Sequence, residues 1–218
     1  MLTHHDYPQG SEDWLAVRKG CITGSRFKDC RDRLKSGAPS KACISYAHDT
    51  ARERVGGKAP SKFTNSAMKF GTEQEPLARL AYEAATGNLV EEVGFFTTED
   101  GLFGLSPDGL IGDDGVLEVK TMVSSDTLFE AMVEGDISEY LDQCTGYLWL
   151  LGRQWVDLVL WAPDLEPLGL HMKIIRITRD ESAIEALEAD LMKFAAMVRE
   201  YESKLRVAAN EFALKKAA

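Results

Sequence analysis

The chain has no Cys-x-x-Cys pair. Its four cysteines, Cys21, Cys30, Cys43 and Cys144, are spaced too widely for a zinc knuckle, and nothing in the spacing supports an iron–sulfur cluster. Reduced, buried thiols are the expectation. No stretch approaches the roughly 18 apolar residues of a membrane span. The opening Met1-Leu2-Thr3-His4-His5-Asp6 lacks the shape of a signal peptide, so a cytoplasmic protein is expected. There is no internal repeat and no low-complexity linker. Basic residues are short as well: 25 Lys and Arg stand against 35 Asp and Glu, a net charge of −10, which argues against a surface coated in nucleic acid. The shortage is uneven, because residues 1–63 hold 12 basic and 7 acidic side chains and the remainder 13 and 28. An acidic body with a basic N-terminal third suits a protein that confines a polyanion to one place, although clustering along helices gives the same count. With 44% hydrophobic and 28% charged residues, the 218-residue chain can build a sizeable core.

What is present centres on Ser106-Pro107-Asp108 and, ten residues after the Asp, Glu118-Val119-Lys120. Side chains alternate along a strand, so Leu117 and Val119 face one way and Glu118 and Lys120 the other, towards whatever Asp108 also faces. Two carboxylates converging on one point repel unless a proton or cation lies between them. Mg²⁺ with oxygen ligands is the usual solution, and a neighbouring lysine can orient or deprotonate a water, or steady a developing charge. Acid-x-Lys is also the ordinary pattern of a solvated strand.

Along the chain, Ser11 caps a first helix that ends at Gly20. A second helix is predicted from Thr23 or Gly24 to about Leu34. Thr23-Gly24-Ser25 with Arg18 one turn away has the chemistry of a phosphate pocket, or of a plain helix cap. Lys35 to Ser40 reads as a polar loop, Lys41 to Val55 as a helix, and Lys58, Pro60 and Lys62 as a second basic loop. Ser66 to Thr86 is the best helix of the first half, with Phe70, Leu77, Leu80, Ala81 and Ala84 at helical spacing and Gly87 as its stop. It carries Gly71-x-x-x-Glu75, where a glycine one turn before the acid would let another backbone approach. Strands are predicted over Leu89–Phe96, Leu102–Leu105, Gly109–Ile111 and Val116–Met122, with Asp113-Asp114-Gly115 as a hairpin turn. Helices over Ser125–Glu134 and Glu139–Leu151 follow, the second placing Gln143 and Tyr147 on one face. Trp155–Trp161 and Leu170–Ile177 read as strands, and Arg179 to about Leu214 as one long helix or two. The order predicts a mixed α/β fold, a central sheet flanked by helices.

With these elements placed, the chain resembles the phage lambda exonuclease family, viral-recombinase nucleases of the PD-(D/E)xK superfamily. The resemblance runs from about Gln9 to Asp180. It rests on Trp14-x-x-x-Arg18-x-Gly20-x-Ile22-Thr23-x-Ser25, Gly71-x-x-x-Glu75, Ser106-Pro107-Asp108, Glu118-x-Lys120 and Gln143-x-x-x-Tyr147. It implies a restriction-endonuclease-like core in a single domain: a basic helical part (1–63), a catalytic core (64–178) and a helical tail (179–218). It implies processive, Mg²⁺-dependent (or Mn²⁺-dependent) 5′-to-3′ digestion of double-stranded DNA to mononucleotides by a homotrimeric ring. The surviving 3′ strand would pass to a single-strand annealing protein. By position, Asp108, Glu118 and the Val119 carbonyl would hold two metal ions, with Glu75 serving the second. Lys120 would act on the water, and Gln143, with Tyr147, would position that water or the phosphate. Arg18, Ser25 and Thr23 would bind the 5′-phosphate, Met68 would wedge the terminal base pair, and Arg33 and Lys35 would meet DNA. Other readings are a structure-specific or restriction-type endonuclease, and an inactive DNA-binding scaffold.

Overall fold

The computed structural model describes residues 2–58 and 66–217; the predicted basic loop around Pro60 and Lys62 lies outside them. Strand β1 (Leu2–His5) precedes helix α1 (Glu12–Arg18), which Ser11 caps by accepting a hydrogen bond from the Trp14 amide. Gly20, at φ 76°, turns the chain into β2 (Ile22–Thr23). After one 3₁₀ turn come α2 (Phe27–Arg31) and α3 (Lys41–Arg54), the latter capped by Ser40. Helix α4 (Ser66–Thr86) leads to β3 (Phe95–Thr98), β4 (Phe103–Leu105), β5 (Gly109–Ile111) and β6 (Gly115–Thr121). A short α5 (Ser125–Leu128), α6 (Ser138–Leu150), β7 (Trp155–Trp161), β8 (Met172–Thr178) and the 37-residue α7 (Glu181–Ala217) complete it.

The predicted mixed α/β class holds, with the strands in two four-stranded sheets ordered β1-β3-β4-β2 and β5-β6-β7-β8. In the second sheet only β6 and β7 run parallel, which requires the crossover that α5 and α6 provide. Its two faces bury different things. Val116, Leu158 and Leu160 join Phe27, Tyr46, Leu148, Leu187 and Phe194 in the main core, beneath α2, α3, α6 and α7. Leu117, Val119, Val159 and Trp161 face Ala78 and Tyr82 of α4.

Four local expectations change. The second helix does not begin at Thr23 or reach Leu34. Thr23 pairs in a strand with Gly104, and α2 stops at Arg31 because the Arg33 guanidinium takes the Cys30 and Asp32 carbonyls and Arg33 bridges to Pro39. The predicted Leu89–Phe96 strand begins only at Phe95. Before it the Val90 amide is taken by the Glu83 side chain, and Glu91 makes a lone bridge to Leu110. Residues 129–134 wind as a π-helix rather than continuing α5. Finally, α4 does not bury the predicted stripe. Phe70, Leu77 and Leu80 are exposed, and Ala78 and Tyr82 are the buried residues, since a small alanine lets the helix lie close on the sheet.

All four cysteines are free and buried. Among the described residues no helix is long and apolar enough to cross a membrane. Several N-terminal cations are used internally. Arg31 reaches Asp142 of α6 at 2.6 Å and Asp190 of α7 at 3.1 Å, Arg54 pairs with Glu202 of α7, Lys28 with Glu139 and Arg26 with Asp29. The basic third is therefore partly neutralised by the acidic body it packs on.

Candidate active site

The β5–β6 hairpin builds the centre. One step beyond the registered pair Gly109–Leu117, Asp108 accepts a hydrogen bond from the Val119 amide at 2.7 Å, which fixes its carboxyl beside β6. Glu118 points from β6 towards α6 and is only 2% exposed. A carboxylate so buried needs partners, and it has three. Lys120 Nζ lies 2.6 Å from Oε1, Gln143 Nε2 donates to the same oxygen at 2.7 Å, and the Tyr147 hydroxyl donates to Oε2 at 2.6 Å. Gln143 closes the network by accepting from Lys120 at 3.0 Å and donating to the Tyr147 oxygen at 2.7 Å. Helix α6 can stand this close because Gly146 leaves room for the Phe27 ring, which an added Cβ would meet at 2.4 Å.

Glu75, from α4, completes the acid set on the opposite wall. Burial first, then the charges of Glu118 and Glu75, hold the Asp108 carboxyl well above the usual carboxylate range. Burial, with Glu118 and Glu92, raises Glu75 too, against the pull of Arg79. Burial draws the Lys120 ammonium down, but Glu118 and Asp108 outweigh it and keep Lys120 above the ordinary lysine range. Like charges are thus crowded into one place with a single lysine between them. The donor set, carboxylate oxygens beside the Val119 backbone, suits a hard divalent cation. Among the described residues no three or more Asp, Glu, His or Cys side chains are drawn around one point as they stand. Glu118 is instead turned onto Lys120, Gln143 and Tyr147.

The same cleft, of about 700 Å³, is lined by Arg18 and Ser25 as well. One guanidinium nitrogen of Arg18 donates to Thr23 Oγ1 and to Ser25 Oγ, each at 3.3 Å. Its plane lies 4.9 Å from the centre of the Trp14 ring. Burial lowers its pKa, and among the described residues it has no carboxylate in salt-bridge range. A half-buried cation held by hydroxyls and aromatic rings is poised for an anion. Trp14 also donates to Ser106 Oγ at 3.4 Å, tying α1 to the turn that carries Asp108.

The structure therefore gathers Asp108, Glu118, Val119, Lys120, Gln143, Glu75, Arg18, Ser25 and Met68 on one cleft. Thr23 and Tyr147 sit behind it. Thr23, 5% exposed, props Arg18, and Tyr147, 1% exposed, reaches Glu118. Arg33 and Lys35 do not line the cleft; they lie in the loop between α2 and α3, where Arg33 serves the backbone. Gly71 lines the cleft, and among the described residues a Cβ added there would meet nothing within 4 Å, so none of their backbone presses on it. Sequence reasoning gave no site role to Trp14, Lys69 or Thr121, which also line the cleft. Trp14 opens the motif that contains Arg18, and Thr121 continues β6 beyond Lys120, so position gave a signal for both.

A family model described as the YqaJ-like viral recombinase domain matches residues 13–154. An alkaline exonuclease from Laribacter hongkongensis, LHK-Exo, shares 32% identity, over 93% of this chain and 100% of its own, with a TM-score of 0.80. Its complex with dAMP matches over the same shares, with a TM-score of 0.82. A phage related exonuclease from Haemophilus somnus 129PT, 16% identical over 87% of this chain and 96% of its own, has a TM-score of 0.63 and the same fold. The core is restriction-endonuclease-like, as predicted. A search of curated proteins gives no match.

Proposed function

The chain belongs to the YqaJ-like viral recombinase family, the lambda-exonuclease-like nucleases, and from that membership we propose that it is a 5′-to-3′ exonuclease of double-stranded DNA. The coarser reading, a DNA nuclease, follows the alkaline exonuclease it resembles at 32% identity. The observation that carries the finer one is the single cleft lined both by Asp108, Glu118, Lys120 and Gln143 and by Arg18, which among the described residues has no carboxylate in salt-bridge range.

Two Mg²⁺ ions (or Mn²⁺) would be held by Asp108, Glu118, the Val119 carbonyl and Glu75. Bound there, such ions stabilise the charge on the attacking and leaving oxygens of a phosphodiester and lower the pKa of water. The chain's own groups do the rest. Lys120, held protonated by Glu118 and Asp108, orients the attacking water and steadies developing charge. Gln143 shares that task, and Tyr147 fixes the Glu118 carboxylate through their 2.6 Å hydrogen bond. Arg18 and Ser25, with Thr23 behind, hold a terminal 5′-phosphate, so that only the correct end enters. Each cut creates a new 5′-phosphate for the same pocket, which supports processive release of mononucleotides. Met68, near the start of α4 and exposed in the cleft, would wedge the terminal base pair. Arg33 and Lys35 contact the DNA backbone from their loop.

A homotrimeric ring is supported by two apolar patches on opposite faces of the second sheet. Phe70, Leu77 and Leu80 are exposed on the α4 side, and Phe129 and Val133 beside the face where Leu128 and Met132 pack. Unlike patches on opposite sides pair head to tail, and such contacts form a ring where the rotation between subunits closes. The 3′ strand left behind would go to a single-strand annealing protein in the cytoplasm.

The test is digestion of linear duplexes with and without a 5′-phosphate, beside a closed circle, with strand-resolved products. The expected result is Mg²⁺-dependent loss of the phosphorylated strand from its 5′ end. Cleavage of the circle, or indifference to the phosphate, would overturn the exonuclease reading in favour of an endonuclease.

A further inference from the structure

Helix α4 delivers Glu75 to the cleft, yet little apolar packing holds it, since Ala78 and Tyr82 are its only fully buried residues among those described. Its anchorage is polar. The Tyr82 hydroxyl donates to Asp157 Oδ2 at 2.7 Å, deep against the α4 face of the sheet. Asp157, 2% exposed, is gripped by Arg176 through two bonds of 2.8 Å, and Arg176 in turn lies 3.8 Å from the centre of the Trp155 ring. Asn88 donates to the Tyr82 oxygen at 3.0 Å. Nearer the cleft, Trp161 Nε1 donates to Gln74 at 3.1 Å.

Glu75, Ala78 and Tyr82 are spaced i, i+3, i+7 and so share one helix face. Tyr82 is about two turns, roughly 10 Å, along the axis from Glu75. A buried carboxylate is satisfied only while its partners keep their geometry, so Asp157 fixes both the rotation and the height of α4. Burial and Asp157 push the Tyr82 hydroxyl up to about 12, so it remains a donor at neutral pH.

We propose that the Tyr82–Asp157–Arg176 cluster is a positioning device that sets Glu75 in the cleft, and so governs how well the site holds a divalent cation. The inference rests on the metal role proposed for Glu75. It adds residues on the strands β7 and β8, outside every motif of the site.

The test is direct Mn²⁺ binding to the full chain by electron paramagnetic resonance, below the melting temperature of each variant. Tyr82→Phe keeps the ring and removes the hydroxyl. It is expected to weaken Mn²⁺ binding several-fold, up to about tenfold, the lower bound for losing a hydrogen bond made directly to a metal ligand, because Tyr82 acts on Glu75 only through the helix. In a Glu75→Gln background the same change is expected to have no further effect. Arg176→Met, which releases Asp157 from the exposed side and leaves the Tyr82 hydroxyl in place, is expected to act in the same direction if Tyr82→Phe folds poorly. Wild-type Mn²⁺ affinity in both anchor variants, or an equal loss with and without Glu75, would overturn the proposal. Unchanged binding in the single variant Glu75→Gln would instead remove the metal role of Glu75, and the proposal would fall with it by a distinguishable route.

Discussion

Helices α4 and α7 are both long and both carry apolar residues at helical spacing, but they are held in opposite ways. The first half of α7 sinks Ile184, Leu187, Leu191, Phe194 and Val198 into the main core. α4 leaves Phe70, Leu77 and Leu80 in the open and is fastened by hydrogen bonds that Tyr82 and Arg79 donate and Gln74 accepts. Area holds an element in place without specifying its rotation finely, because apolar contact is not directional. A hydrogen bond to a buried charge specifies both angle and height. The helix that carries Glu75 is the one fastened by direction.

That contrast can be broken or sharpened by measurement. Phe194→Ala is expected to have the largest effect, costing about 3–5 kcal/mol of stability by cavity formation, read as a denaturation midpoint shift. A cost under about 1 kcal/mol would mean that α7 is not held by its core row. Lys120→Ala should slow Mg²⁺-dependent digestion of a linear duplex by about 10²–10³-fold, the scale for one preorganised charge donor, with the fold kept. A normal rate would remove Lys120 from the mechanism. Arg18→Ala should cost about 10–100-fold in rate on 5′-phosphorylated ends, the worth of charge-assisted hydrogen bonds, and leave 5′-hydroxyl ends little changed. Equal losses on both ends would sink the phosphate pocket.

Asp108 gives a smaller effect of opposite sign. Its folded pKa is raised by burial and by Glu118 and Glu75, so the native state binds that proton more tightly than the unfolded chain. The stability this contributes is fully present below the ordinary carboxylate pKa and is lost as pH rises through the raised one. In chelator at neutral pH, Asp108→Asn should therefore raise the melting temperature, and in a separate assay with Mg²⁺ the same variant should not digest a linear duplex. A lowered melting temperature would show that the carboxylate is stabilised by its amide bond to Val119 more than it is strained by its neighbours. The smallest effect is expected at the exposed face of α4. Leu80→Gln should change monomer stability by no more than about 0.5 kcal/mol. In the proposed ring it should nevertheless shift the mass seen by light scattering, and an unchanged mass would free that face from subunit contact.

The sequence was most legible where chemistry and period coincide. Asp108, Glu118 and Lys120 were found because strand alternation forces Glu118 and Lys120 to one side, and α4 was bounded at Ser66 and Thr86 by its own periodicity and its glycine stop. It was least legible where a side chain overrode local preference. The Arg33 guanidinium ends α2 early by taking the Cys30 and Asp32 carbonyls, and the Glu83 side chain takes the amide that a strand at Val90 would use. Tyr147 looked like a residue that could touch DNA, but packing put it at 1% exposure behind Glu118.

By itself the sequence determined the residue types of the centre, their spacing, and the helix and strands that bear them, because period and turn chemistry are local. Only the tertiary structure decided which way α4 faces, and that Asp157 and Tyr82 meet across 75 positions. Those outcomes depend on which surfaces exclude water together. No window of the chain contains both partners, so no local pattern could have stated them.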